Sequence, residues 1–195
     1  MASATSEPHT PGTPIPVKIV VAGGFGAGKT TFVGSISEIP PLSTEAAMTT
    51  VSSGVDDVGG RRKTTTTVAL DFGRITLARD LVLYLFGTPG QDRFFFMWDE
   101  LVRGAIGAVV LVDTRRLADC FPAVDYFESR RLPFIVVINC FDGIVEHRVE
   151  DVREALDIAP EIPVVLCDAR NRSSTKLSLM EVTQHALNQA MVVRR

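Results

Sequence analysis

The run Gly23-Gly24-Phe25-Gly26-Ala27-Gly28-Lys29-Thr30 limits this chain more than any other stretch. It satisfies G-x-x-x-x-G-K-[ST], with the apolar segment Val17 to Ala22 before it and Thr31 to Ile36 after it. The first reads as a buried parallel strand and the second as a helix, the setting this spacing requires. Phosphate oxygens need many donors in a small concave volume. Glycines let the backbone curl so that the N–H groups from Gly24 through Gly28 point inward. The helix start at Lys29, Thr30 and Thr31 adds unpaired N–H groups and the positive end of a dipole. Lys29 supplies a point charge for outer phosphates, and the Thr30 hydroxyl can ligate a magnesium ion that bridges them. The stretch suits a nucleoside di- or triphosphate without selecting a base. A tight turn alone would account for the glycines, but not for the full match between strand and helix.

A chain of 195 residues with 46% hydrophobic content suffices for one well-packed core and hardly for two. The net charge of -3 and the lack of a basic block beyond Arg61-Arg62-Lys63 argue against a nucleic-acid partner. Apolar runs such as 106–112 fall far short of the ~20 residues that a membrane span needs. Three cysteines, Cys120, Cys140 and Cys167, form no C-x-x-C pair and fit a reducing compartment. With neither a leader pattern nor a lipidation motif, the expected location is cytoplasmic, with no membrane anchor of its own. Any membrane recruitment then falls to a partner.

Residues 1–16, rich in Ser, Thr, Pro and Gly, read as a disordered tail, and 17–195 as the domain. Residues 38–66 read as one long loop without periodicity. Segments 67–77 and 81–86 predict an antiparallel hairpin at the sheet edge, turning near Arg79-Asp80. An aromatic-rich helix over 91–103, a buried strand over 106–113 and a helix over 118–130 follow. A strand over 134–139, a helix over 149–156, a strand over 164–167 and a helix over 175–192 complete the alternation. Repeated βα units with continuous apolar strands imply an α/β fold, a mostly parallel sheet with helices on both faces. Ligands of such sheets bind beyond the carboxyl ends of the strands, where the loops of interest begin.

Two of those loops are Asn139-Cys140-Phe141-Asp142 and Cys167-Asp168-Ala169-Arg170, and a third is Gly87-Thr88-Pro89-Gly90-Gln91. Together with the glycine-rich stretch they resemble the ordered signatures of Ras-like small GTPases. The resemblance implies a P-loop NTPase (small GTPase) fold with a six-stranded, mostly parallel sheet and one antiparallel edge strand. It implies GTP or GDP with Mg2+ as cofactors. In that family N-K-x-D reads the base and S-A-K follows it. Asp142 matches the carboxylate that accepts both N–H groups of the guanine edge, a bidentate arrangement adenine does not offer. Asn139 matches the brace between loops and the Ala169 N–H the donor to the guanine carbonyl, with Asp168 and Arg170 flanking it. Cys140 stands where the family has lysine, and Asp168-Ala169-Arg170 where it has S-A-K. A local Asx turn is the competing account of Asn139 and Asp142.

The third loop departs from the family's D-x-x-G-Q, because Gly87 stands in the place of the aspartate. Its T-P-G-Q form resembles the bacterial gliding-motility GTPases and, more closely, the GTPases of actinobacterial conservon operons, as does the Thr-rich run 64–67. By that resemblance Thr67, with Thr66 as rival in register, reaches magnesium together with Thr30. Gln91 orients the attacking water, Lys29 assists catalysis, and Gly90 places an N–H near the γ-phosphate. Arg61 or Arg62 could serve as an arginine finger in cis, although a solvated basic cluster is the better account of them. Phe94-Phe95-Phe96-Met97-Trp98 cannot all face inward on one helix, so an exposed apolar patch is expected there. The resemblance suggests a roadblock-type partner for it, within a sensor-kinase system. Cys140 and Cys167 read as small core filler beside the base pocket.

The implied function is a switch that binds GTP or GDP, hydrolyses GTP slowly and presents a nucleotide-dependent surface. A scaffold that holds nucleotide without hydrolysis is the alternative. A small-molecule P-loop kinase fits less well, since no arginine-rich lid segment is apparent.

Overall fold

A computed structural model describes residues 14–40, 44–50, 64–90 and 92–193; of 44–50, 64–69, 92–93 and 193 it describes the backbone alone. The expectations for most of the tail, for Arg61, Arg62 and Lys63, and for Gln91 lie outside the described residues.

The strands are β1 (Ile15–Gly23), β2 (Thr44–Thr50), β3 (Thr64–Ala78), β4 (Leu81–Gly87), β5 (Gly107–Val112), β6 (Phe134–Asn139) and β7 (Val164–Cys167). The helices are α1 (Lys29–Ile36), α2 (Trp98–Val102), α3 (Phe121–Arg130), α4 (Val149–Ala155) and α5 (Arg172–Val193). Six strands form the central sheet in the order β3-β4-β1-β5-β6-β7, all parallel except β3, which runs antiparallel to β4. This is the expected six-stranded α/β sheet with one antiparallel member.

β2 extends that sheet beyond β3 by antiparallel pairing, Ala47 opposite Thr67. It lies inside the segment read as one long loop. Its Thr, Glu, Ala and Met composition carries no apolar alternation. Its pairing with the Thr-rich half of β3 is a long-range property that periodicity does not reveal. β1 also begins two residues earlier than Val17, with Ile15 opposite Leu81.

Every residue of β5 and β6 is buried, which is why both read as unbroken apolar runs. One face of the sheet packs Phe32, Val33 and Ile36 of α1 and Leu179 and Val182 of α5 against Ile19, Leu85 and Val109. The other packs Trp98 of α2, Val124 and Phe127 of α3, and Val152 and Leu156 of α4 against Val20, Val110 and Val136. The stretch predicted as one helix over 91–103 is a 3-10 turn, Asp92–Met97, leading into the short α2. The chain before α3 is likewise 3-10, Thr114–Cys120, and Pro122 sits in the first turn of α3. Among the described residues no helix is long and apolar enough to cross a membrane.

Candidate functional site

The glycine-rich loop leaves the carboxyl end of β1 and feeds α1 through Gly28, at φ 102, ψ 18. A Cβ at Gly28 would be strained by that φ and would lie 2.6 Å from Asn139 Nδ2. No side chain caps α1 at Gly28, so its first N–H groups remain available to an anion. Lys29 is buried, and its ammonium donates to the carbonyls of Gly23 at 2.8 Å and Gly24 at 2.7 Å. Burial pulls its pKa down to about 8, against the opposing pull of Asp71. A pocket over the loop is lined by Phe25, Gly26, Gly28, Lys29, Thr30, Thr31, Asp71, Thr88, Pro89 and Gly90. Gly90 packs closely here, since a Cβ on it would lie 2.7 Å from Lys29 Nζ.

Asn139, at the end of β6, is buried and joins two loops. Its Nδ2 donates to the Ala27 carbonyl at 2.9 Å, and its Oδ1 accepts from the Ala169 N–H at 3.1 Å. These partners are 112 and 30 residues away, which is a brace between loops and not a local Asx turn. The Ala169 N–H, expected to face a base carbonyl, is thus engaged with Asn139. Asp142 follows at φ 58, ψ 22, a left-handed conformation that aspartate tolerates better than most residues. Its carboxylate accepts from Arg170 Nη1 at 2.7 Å. Arg170 Nε also donates to Asp168 at 3.2 Å, and Arg170 holds the Asp168 carboxyl below the usual range. Asn171 Oδ1 accepts from the N–H groups of Ser173 and Ser174 and caps α5, anchoring this loop to its helix. The Arg115 guanidinium, bonded to Asp113 at 2.8 Å, lies 4.2 Å from the centre of the Phe141 ring and steadies the Asp142 loop.

The structure therefore gathers Gly24 through Thr31 with Gly90 at one end, and Asn139, Asp142, Asp168, Ala169 and Arg170 at the other. Thr67 is in β3, four residues from Asp71, roughly 13 Å along the strand at about 3.3 Å per residue. Of the aromatic run, Phe94 and Trp98 are buried and Phe95 packs against the core, so the expected patch narrows to Phe96, which is 62% exposed. Cys140 and Cys167 are buried, as small filler would be.

Sequence reading missed Asp71. Its Oδ2 accepts from Thr30 Oγ1 at 2.8 Å, and Asp71 is the cross-strand partner of Gly87. The available signal was an aspartate in the hairpin strand that runs beside the departing loop.

Residues 21–189 match the family model described as conserved hypothetical ATP binding protein (ATP_bind_1). The chain belongs to this family. An uncharacterized protein of Methanocaldococcus jannaschii, MJ1339, is 29% identical to this ATP_bind_1 protein over 128 residues, covering 65% of this chain and 71% of its own. The G domain of the T. maritima FeoB iron transporter superposes with a TM-score of 0.56 at 18% identity, over 90% of this chain and 99% of that one. The small GTPase Arl6 from Trypanosoma brucei, solved with a bound nucleotide analogue, gives 0.60 at 15% identity with the same coverage. At these identities the likeness establishes the fold, that of the P-loop small GTPases.

Proposed function

We propose that this protein is a guanine-nucleotide switch of the bacterial gliding-motility or conservon kind. In this reading the amides of Gly24 to Thr31 and the Lys29 ammonium grip the phosphates. Asp142 reads the base, and Thr30 holds magnesium, with Thr67, or Thr66 in the rival register, as the second threonine. The pairing at Asp142 carries the proposal. Its carboxylate already accepts from a planar N–H donor, the Arg170 guanidinium, which is the chemistry a guanine edge offers. Asn139 ties that loop to the phosphate cradle, so one nucleotide can span both.

Gln91 would orient water and Lys29 would stabilise charge, with slow turnover. Phe96 would mark the surface read by a partner, for which a roadblock-type protein in a sensor-kinase system is our choice. A cytoplasmic location fits this role.

The family description names ATP, and base choice is the decisive test. Labelled GDP bound to the purified protein is challenged with GTP or ATP, before and after Asp142→Ala. The expected outcome is displacement by GTP alone in the wild type and loss of that preference in the variant. Equal displacement by ATP would refute guanine selection. Single-turnover hydrolysis then separates a switch from a scaffold that holds nucleotide intact.

A further inference from the structure

We infer that the outer face of α5 is a homodimer surface, on which two copies of this chain pair their α5 helices in parallel as a short two-stranded coiled coil. This stands apart from the nucleotide reading and does not depend on it.

α5 carries two faces of different character. Thr175, Ser178, Leu179, Val182, His185 and Ala186 are buried, and Leu179 and Val182 pack on the sheet. On the opposite side Leu177, Met180, Leu187 and Met191 are 54% to 66% exposed, with exposed Gln184 among them. From Leu177 to Met191 the steps are three, four, three and four residues, the a/d spacing of a coiled-coil seam. Burial against the sheet does not account for this stripe, because α5 meets the sheet with its other face. Exposed Leu77 of β3 and Leu166 of β7 widen the apolar surface to either side.

The flanking charges select a second copy as the occupant and set its direction. In this register Lys176 is a g residue and Glu181 an e residue, and they line hollows on opposite flanks of α5. Neither has an ion-pair partner among the described residues. In a parallel pair each g side chain meets the following e side chain of the other helix. Two-fold symmetry then brings Lys176 of each copy to Glu181 of the other. An antiparallel pair sets g against g and e against e, and neither charge meets its opposite. Gln184 occupies an a position, where the two copies present the same amide to each other. Its Nε2 donates to Asn188 at 2.9 Å, which leaves its Oε1 to accept from the other copy. One polar layer of this kind fixes register. Because α5 is already formed against the sheet, pairing carries no helix-nucleation cost, and a short seam suffices. α5 begins directly after Asp168-Ala169-Arg170, so parallel pairing sets both copies of that loop at one end of the dimer.

Sedimentation equilibrium of the full chain from about 5 to about 300 µM measures the association, and a Kd of roughly 10–100 µM is expected for so small an interface. Leu187→Glu puts a carboxylate in the seam and should weaken pairing at least about tenfold. Lys176→Glu and Glu181→Lys should each weaken it about 3- to 10-fold, and their equimolar mixture should recover wild-type association, since every facing pair is again opposite in sign. Leu177→Cys should cross-link in oxidised glutathione, because Leu177 lies near one end of α5 and meets its own copy only in the parallel arrangement, while the native thiols are buried. Thermal melting reports folding, and the exposed charge variants carry the test should Leu187→Glu not fold. A chain that stays monomeric at about 300 µM overturns the proposal. So does a dimer insensitive to Leu187→Glu, a charge mixture no stronger than its components, or a dimer of Leu177→Cys that does not cross-link.

Discussion

The Lys29 ammonium donates to the Gly24 carbonyl at 2.7 Å, so the charge proposed to meet phosphate is satisfied inside its own loop. With a pKa lowered to about 8 by burial, Lys29 holds its proton less firmly than in the unfolded chain, where the ordinary value is 10.5. Between those values the unfolded chain binds more protons, so this group's contribution to stability rises with pH across that interval. Bound phosphate should return the pKa upward, so binding takes up protons. We expect nucleotide affinity to fall roughly tenfold or more between about pH 7.5 and about 9.5. Calorimetric titration in buffers of different ionisation enthalpy measures the proton uptake directly.

Asn139 holds the two ends of the site together. Asn139→Ala strands the Ala27 carbonyl and the Ala169 N–H in a buried setting and should cost about 3 kcal/mol. Asn139→Asp keeps the acceptor for Ala169 but sets an anion against the Ala27 carbonyl, so it should not rescue. Denaturant unfolding of both variants checks the order.

Gly28→Ala combines a strained φ of 102 with a Cβ 2.6 Å from Asn139 Nδ2. Because the displaced group is the brace itself, base and phosphate affinities should fall together. Release rates of labelled GDP and retention of pyrophosphate would reveal it; loss of one without the other would contradict the coupling.

Trp98 packs on Phe95 at 4.5 Å, Tyr126 at 5.1 Å and Phe127 at 5.8 Å between ring centres. Trp98→Ala should cost about 3–5 kcal/mol. Its buried Nε1 has no hydrogen-bond partner, so Trp98→Phe forfeits no bond there and should cost distinctly less. Thermal unfolding of the pair discriminates between them.

The three cysteines are buried, and burial pushes the Cys120 thiol up to about 12 and that of Cys140 above its ordinary value. A maleimide at about pH 8 should label none of them until the chain unfolds. Labelling of Cys140 in the native protein would mean that the loop 139–142 opens.

What the sequence by itself determined is local. The order Gly23 to Thr30 places φ-permissive residues, a lysine and a hydroxyl within one turn, and unbroken apolar runs such as β5 and β6 declare a sheet buried on both faces. Asn139 and Asp142 are legible because their types and spacing follow a strand end. Tertiary structure alone decided that Asp71 stands against Thr30 in the space left at Gly87, since strand register is set by pairings between segments far apart in the chain. It also decided which side of the run 94–98 meets the core: Trp98 packs on Tyr126 and Phe127 of α3 and Phe94 is buried, while Phe96 faces outward. Arg170 on Asp142 is of the same kind: two loops 28 residues apart meet only when β6 and β7 are laid side by side.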